Sequence, residues 1–141
     1  MKKYNLKDMK NILFKNDALM ILSLSMFLNT AIWVIQNAVS GYYFKYVVGA
    51  ESLLTVFFQW MLPANIIGVV LTPILTAKFG KKNIFILGSL IVFFANVGRH
   101  FIPIPTTEVY NLFIGLSMVG SASMMFCSLC QWGMVPDTIE Y

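Results

Sequence analysis

Four long runs of apolar residues divide the chain, at residues 18–48, 53–77, 84–102 and 109–135, with most of the charged residues in the stretches between and before them. Each run is near or above the roughly 20 residues that a helix needs to cross a hydrocarbon core about 30 Å thick. Within lipid no water can satisfy backbone N–H and C=O groups, so a spanning segment must close its hydrogen bonds internally. That leaves helices or a closed barrel, and a barrel needs strands of about ten residues with alternating apolar positions. The runs show no such alternation. The pattern predicts an all-α membrane protein with four transmembrane helices.

The connections are short. Gly49, Ala50, Glu51 and Ser52 make the first, and Lys78, Phe79, Gly80, Lys81 and Lys82 the second. The third holds Pro103 and Pro105, which cannot continue a helix. Such loops make sequential helices antiparallel neighbours. Lys2, Lys3, Lys7, Lys10 and Lys15 precede the first run and Lys78, Lys81 and Lys82 sit in the second loop, whereas the other side has only Lys45 and Arg99 nearby. Cytoplasmic loops carry the lysine and arginine excess, so a multi-pass protein of the inner (plasma) membrane with both termini cytoplasmic is expected. Residues 1–17 read as a separate basic segment, with Leu6, Met9 and Leu13 among the lysines as an amphipathic stripe for the inner leaflet. Residues 18–141 then form the four-helix unit. Arg99 and His100 fall at the outer edge, where a long cationic side chain reads as an interfacial anchor.

Composition agrees. Hydrophobic residues make up 58% of the 141 and charged residues 11%, and the mean hydropathy is +0.74. A soluble domain carries about 25% charged residues. The net charge of +4 comes mainly from clusters flanking apolar runs, not from a basic face with interleaved aromatics, which argues against nucleic acid as a partner. No nucleophile–base pair or metal-ligating cluster is present, so neither an enzyme nor a metal or cofactor site is expected. The apolar stretch after the lysine-rich start is far longer than the ~15 residues of a cleavable signal.

Polar residues inside the spans carry the functional information, because lipid makes them costly. Asn29, Trp33, Gln36, Asn37 and Ser40 fall on one face of the first helix. Amides beside a flat indole suit a polyhydroxylated ligand, whose hydroxyls need hydrogen bonds and whose C–H faces stack on aromatic rings. The same amides would equally serve as bonds to neighbouring helices. In the fourth run Ser117, Ser121, Met124, Ser128 and Gln131 form a similar stripe, in which the small residues suit close packing and Gln131 suits a ligand. Asn65, Thr72 and Thr76 share a face of the second run, where Pro63 is expected to bend the helix. Cys127 and Cys130 read as packing residues rather than a redox or zinc pair. No run contains a carboxylate, so the acidic group by which a cation-coupled carrier binds its ion is expected elsewhere. Pro136 reads as a helix stop, and Asp137 with Glu140 as a capping box for a new helix.

The closing Gln131-Trp132-Gly133-Met134-Val135-Pro136-Asp137-Thr138-Ile139-Glu140-Tyr141 resembles the M-V-x-D-x-x-[ED]-Y signature of the glycoside–pentoside–hexuronide:cation symporters, the melibiose-carrier branch of the major facilitator superfamily. Lys15-Asn16-Asp17, Tyr42-Tyr43-Phe44-Lys45-Tyr46-Val47-Val48-Gly49 and the loop Lys78-Phe79-Gly80-Lys81-Lys82 agree with it in order and spacing. The resemblance implies that the four helices correspond to helices 7–10 of a twelve-helix fold and that the sequence is a fragment, not active alone. It also implies symport of a sugar or glycoside with Na⁺ or H⁺ by alternating access between two six-helix halves. The coupling cation would be bound in an N-terminal half outside this sequence. Stripe and resemblance together give Asn29, Trp33, Gln36, Asn37, Ser128 and Gln131 as substrate-binding candidates. At Ser128 the branch has a sugar-contacting tryptophan, and Trp132 nearby faces another way. Two other classes stand beside this one: a self-sufficient four-helix carrier acting as a dimer, and a non-transporting accessory subunit.

Overall fold

A computed structural model describes residues 16–102 and 110–139, the last of these for its backbone only. The amphipathic stripe expected before the first helix therefore lies outside the described residues, as do Pro103, Pro105 and Glu140. Four helices succeed one another: α1 Asp17–Tyr42, α2 Glu51–Phe79, α3 Lys81–His100 and α4 Tyr110–Ile139. No strand occurs among the described residues, and all four helices are long and apolar enough to cross a membrane. The chain is an all-α, membrane-embedded protein.

The start of α1 is set by Asn16. Its Oδ1 accepts the Leu19 N–H at 3.0 Å, satisfying one of the free donors at a helix start. Its Nδ2 donates to the Thr138 carbonyl at 2.7 Å, so the same side chain ties the beginning of α1 to the end of α4. At its other end α1 widens into a π-helical turn, Tyr43–Val47. A π turn accommodates one extra residue and shifts the register of the residues after it. Here it turns Phe44 inward, where it is 1% exposed, 5.3 Å from Phe57 and 6.2 Å from Phe113 between ring centroids. Tyr43 stacks on Phe113 at 6.0 Å. These rings, with Met61, form one of two apolar clusters; Ile84, Phe126 and Cys130 form the other.

Helix α4 is the hub. It packs along α2 and α3, while α1 lies more loosely against it. Glycine makes both close contacts. A Cβ on Gly68 of α2 would stand 2.6 Å from the Ala122 carbonyl oxygen, and one on Gly88 of α3 would stand 3.1 Å from both Cys127 Sγ and Ser123 O. Small residues let backbones approach in this way, and van der Waals packing is what holds helices together in lipid. Gly80 alone separates α2 from α3, and its φ of +82° is a left-handed value that disfavours any side chain. By contrast α1 buries only Leu22, and Ile21 and Phe27 are each 70% exposed.

Two local expectations need correcting. Pro136 does not stop α4, which runs on to Ile139, and Asp137 does not cap a new helix. Instead the Lys81 ammonium donates to the Gly133 carbonyl at 2.8 Å and to the Asp137 carboxylate at 2.8 Å. That cation ties the start of α3 to the last turns of α4, while the carbonyl that Pro136 deprives of its usual donor is that of Trp132. Likewise α2 continues through both Pro63 and Pro73.

Candidate functional site

Where the four helices converge they leave a cavity of about 160 Å³, to which each contributes polar side chains. Helix α1 supplies Trp33, Gln36, Asn37 and Ser40; α2 supplies Asn65; α3 supplies Asn96 and Arg99; α4 supplies Ser117 and Ser121. Apolar walls come from Phe57, Phe58, Met61 and Met124. A second hollow of about 370 Å³ adjoins it toward Tyr43, Phe44 and His100, and Gln36, Ser40, Asn96 and Arg99 line both.

Helical periodicity brings the α1 residues to one face, but that face meets two different surroundings. Asn29 Nδ2 donates to Ser128 Oγ at 3.2 Å and to Gln131 Oε1 at 2.9 Å. Gln131 Nε2 in turn donates to Ser25 Oγ at 2.7 Å, and the Gln131 side chain is only 2% exposed. This closed set of bonds clamps α1 to α4, and none of Asn29, Ser128 and Gln131 lines the central cavity. Asn29 and Gln131 border a separate, mainly apolar hollow beside Leu24 and Leu28. Of the six candidates the structure thus gathers Trp33, Gln36 and Asn37 at the cavity and holds the other three apart.

The upper half of the stripe is only partly bonded. Gln36 Nε2 donates to Asn96 Oδ1 at 3.2 Å, and Ser40 Oγ donates back to the Gln36 carbonyl at 2.7 Å. Asn37 Nδ2 donates to the Trp33 carbonyl at 2.7 Å. Across the cavity Ser121 Oγ donates to Asn65 Oδ1 at 2.6 Å. Trp33 itself is 52% exposed, so its indole is available for stacking. Trp132 is exposed away from the cavity.

Sequence reasoning missed Asn96 and Arg99 as members of this site and gave Asn65 no role in it. Asn96 and Arg99 stand one turn apart in α3, and the periodicity test applied to α1 would have put both on one face had it been run on α3. Arg99 is the penultimate residue of α3, at the helix end where an interfacial anchor is expected. Its guanidinium carbon lies 4.9 Å from the Phe113 ring centroid, within cation–π range, and its Nε is buried. Among the described residues no cluster of three or more potential metal ligands occurs, and Cys127 and Cys130 are buried free thiols.

Four spanning helices around a cleft lined by both polar and apolar side chains define a multi-pass membrane protein with a candidate site between its helices. A model of the MFS/sugar transport protein family matches residues 2–141, and the chain belongs to that family. It is 30% identical over 129 residues to a Salmonella typhimurium protein named for sulfoquinovose import, covering 92% of this chain and 26% of that one. It is 29% identical over 126 residues to an Escherichia coli protein named for 2,3-dihydroxypropane-1-sulfonate export, covering 89% and 26%. A glucuronide carrier protein homolog of Escherichia coli is 28% identical over 109 residues, covering 74% and 22%. The chain thus spans about a quarter of the length of the curated relatives it matches. No solved structure matches it significantly.

Proposed function

We propose that the chain forms one wall of the solute path in a sugar transporter, and that Trp33, Gln36, Asn37, Asn65 and Asn96 contact a polyhydroxylated substrate there. The observation that carries this reading is the cavity at the meeting point of all four helices, where amides and hydroxyls surround an accessible indole. Binding sites for small solutes combine apolar walls with a few convergent polar groups in this way. The relatives support the substrate class: their named cargoes, sulfoquinovose, 2,3-dihydroxypropane-1-sulfonate and glucuronides, are hydroxylated molecules.

Asn29, Ser128 and Gln131 act in this reading as the clamp that keeps α1 against α4. Transport proceeds by alternating access, with Na⁺ or H⁺ as the driving ion. No carboxylate lines the cavity among the described residues, so the ion is bound by acidic groups contributed elsewhere in the working carrier. The lysine-rich ends face the cytoplasm and the Lys45 end faces outward across the inner membrane.

The reading is tested with the chain in lipid nanodiscs, titrated with methyl β-D-glucoside and methyl β-D-glucuronide. A saturable change in tryptophan fluorescence, abolished by Trp33→Ala, is expected for at least one of them. Failure of both glycosides to bind at tens of millimolar removes the sugar site. For orientation, a cysteine at Lys82 should label only from the cytoplasmic side, and one at Glu51 only from outside; the reverse would invert the topology.

A further inference from the structure

Helix α4 carries Gly120 where it borders the central cavity, and the two ordinary reasons for a glycine both fail there. Its backbone does not need one, since positive φ values occur only at Gly49 and Gly80 among the described residues. Close helix contact, the usual reason in a membrane bundle, accounts for Gly68 and Gly88, where an added Cβ would stand 2.6 Å and 3.1 Å from atoms of α4. At Gly120 an added Cβ would meet only the Ala95 Cβ, at 3.4 Å, an ordinary van der Waals contact. The bundle therefore has room for a methyl group. Alanine is also the better helix former, and replacing glycine at such a compatible position commonly stabilises a protein, its recurrent cost being lost function.

What the methyl would occupy is the cavity, which Gly120 and Ala95 line together from α4 and α3. The cavity of about 160 Å³ has room for about five water molecules at ~30 Å³ each, and a methyl group removes on the order of one such share. Ser117 and Ser121, one turn before Gly120 and one residue after it, line the same cavity. Each hydroxyl already donates, Ser117 to the Phe113 carbonyl at 2.7 Å and Ser121 to Asn65 Oδ1 at 2.6 Å. Both are thereby left with lone pairs that accept. A gap of one-carbon size beside two acceptors fits a carbon that carries a hydroxyl donor. We propose that Gly120, backed by Ala95, is the size-determining residue of the solute site, its gap receiving the exocyclic hydroxymethyl group of a hexopyranoside. A side chain at that position restricts the site to rings that lack the group. This inference rests on the reading of the cavity as a sugar site.

The test compares methyl β-D-glucoside with methyl β-D-xyloside, which lacks only the hydroxymethyl group, by calorimetry on the chain in lipid nanodiscs. The wild type should bind both, the glucoside at least as tightly. Gly120→Ala should weaken glucoside binding at least tenfold and leave xyloside binding within twofold. Adding Ala95→Gly, which removes a methyl from the facing wall, should recover part of the glucoside affinity. Gly115→Ala, on the same helix with nothing within 4 Å of the added Cβ, should change neither affinity. Equal weakening of both glycosides in Gly120→Ala, or no weakening of either, overturns the role of Gly120 and leaves the sugar site standing. So does a wild type that binds the xyloside alone. A Gly120→Ala chain that does not fold overturns it as well, because the glycine is then a packing residue. If the wild type binds neither glycoside, the sugar reading falls and the assignment of Gly120 falls with it.

Discussion

Asn29 and Gln36 stand two turns apart on the same face of α1, carry the same kind of side chain, and meet opposite circumstances. Asn29 reaches Ser128 and Gln131 within 3.2 Å, and Gln131 closes the set by bonding Ser25. Gln36 has one amide partner, Asn96, and borders open space shared with Arg99 and Asn37. The difference lies in what each side chain meets across from α1 rather than in α1 itself. Toward the Asn16 end, the Asn16–Thr138 bond and the Asn29 clamp draw α1 onto α4. Toward the other end, the π turn carries Tyr43 and Phe44 into a packed aromatic cluster with Phe113. A polar residue whose donors are taken by the facing helix is used by structure; one that borders the cavity stays available to a solute.

The most damaging way to break this contrast is to disturb the contacts on which α4 serves as hub. Gly68→Ala places a methyl against the Ala122 carbonyl at 2.6 Å, and it should cost about 1–3 kcal/mol as an overpacked contact. Reversible unfolding in mixed micelles measures it, with Gly41→Ala, where nothing lies within 4 Å, as the near-neutral control. Next in size, Trp33→Ala should weaken glycoside binding about tenfold, or ~1.4 kcal/mol, the upper range for an aromatic contact. Because Trp33 is half exposed, its loss should leave the unfolding midpoint unchanged. Gln131→Leu removes the bonds to Asn29 and Ser25 and should lower stability by about 1 kcal/mol, the usual scale for interhelical hydrogen bonds in membranes. The smallest effect is expected at Lys81→Gln. The Lys81–Asp137 pair is largely exposed, and such pairs are worth about 0.5 kcal/mol and fade in salt. A salt-independent loss of more than about 2 kcal/mol there would mean that Lys81 supports the backbone at Gly133 more than it pairs with Asp137.

The helix count was legible because each apolar run has to span lipid and close its own hydrogen bonds, which leaves little choice of structure. The face that holds Asn29, Trp33 and Gln36 was legible for the same reason, since periodicity on one helix needs no knowledge of its neighbours. The division of that face into clamp and cavity was not. It depends on which residues of the other helices face each part of α1, Ser128 and Gln131 at one part and Asn96 at the other, and those partners are tertiary. The contact of Arg99 with the Phe113 ring was not legible, because the ring belongs to a different helix. Pro136 misled because its stop signal is local, and α4 nevertheless continues to Ile139.

The claim that one stripe serves two purposes is tested most directly by measuring glycoside binding and unfolding stability on the same preparations of Gln36→Leu and Gln131→Leu. The account predicts that Gln36→Leu loses binding at unchanged stability, whereas Gln131→Leu loses stability and keeps binding. Loss of binding in Gln131→Leu with full stability, alongside intact binding in Gln36→Leu, would contradict it.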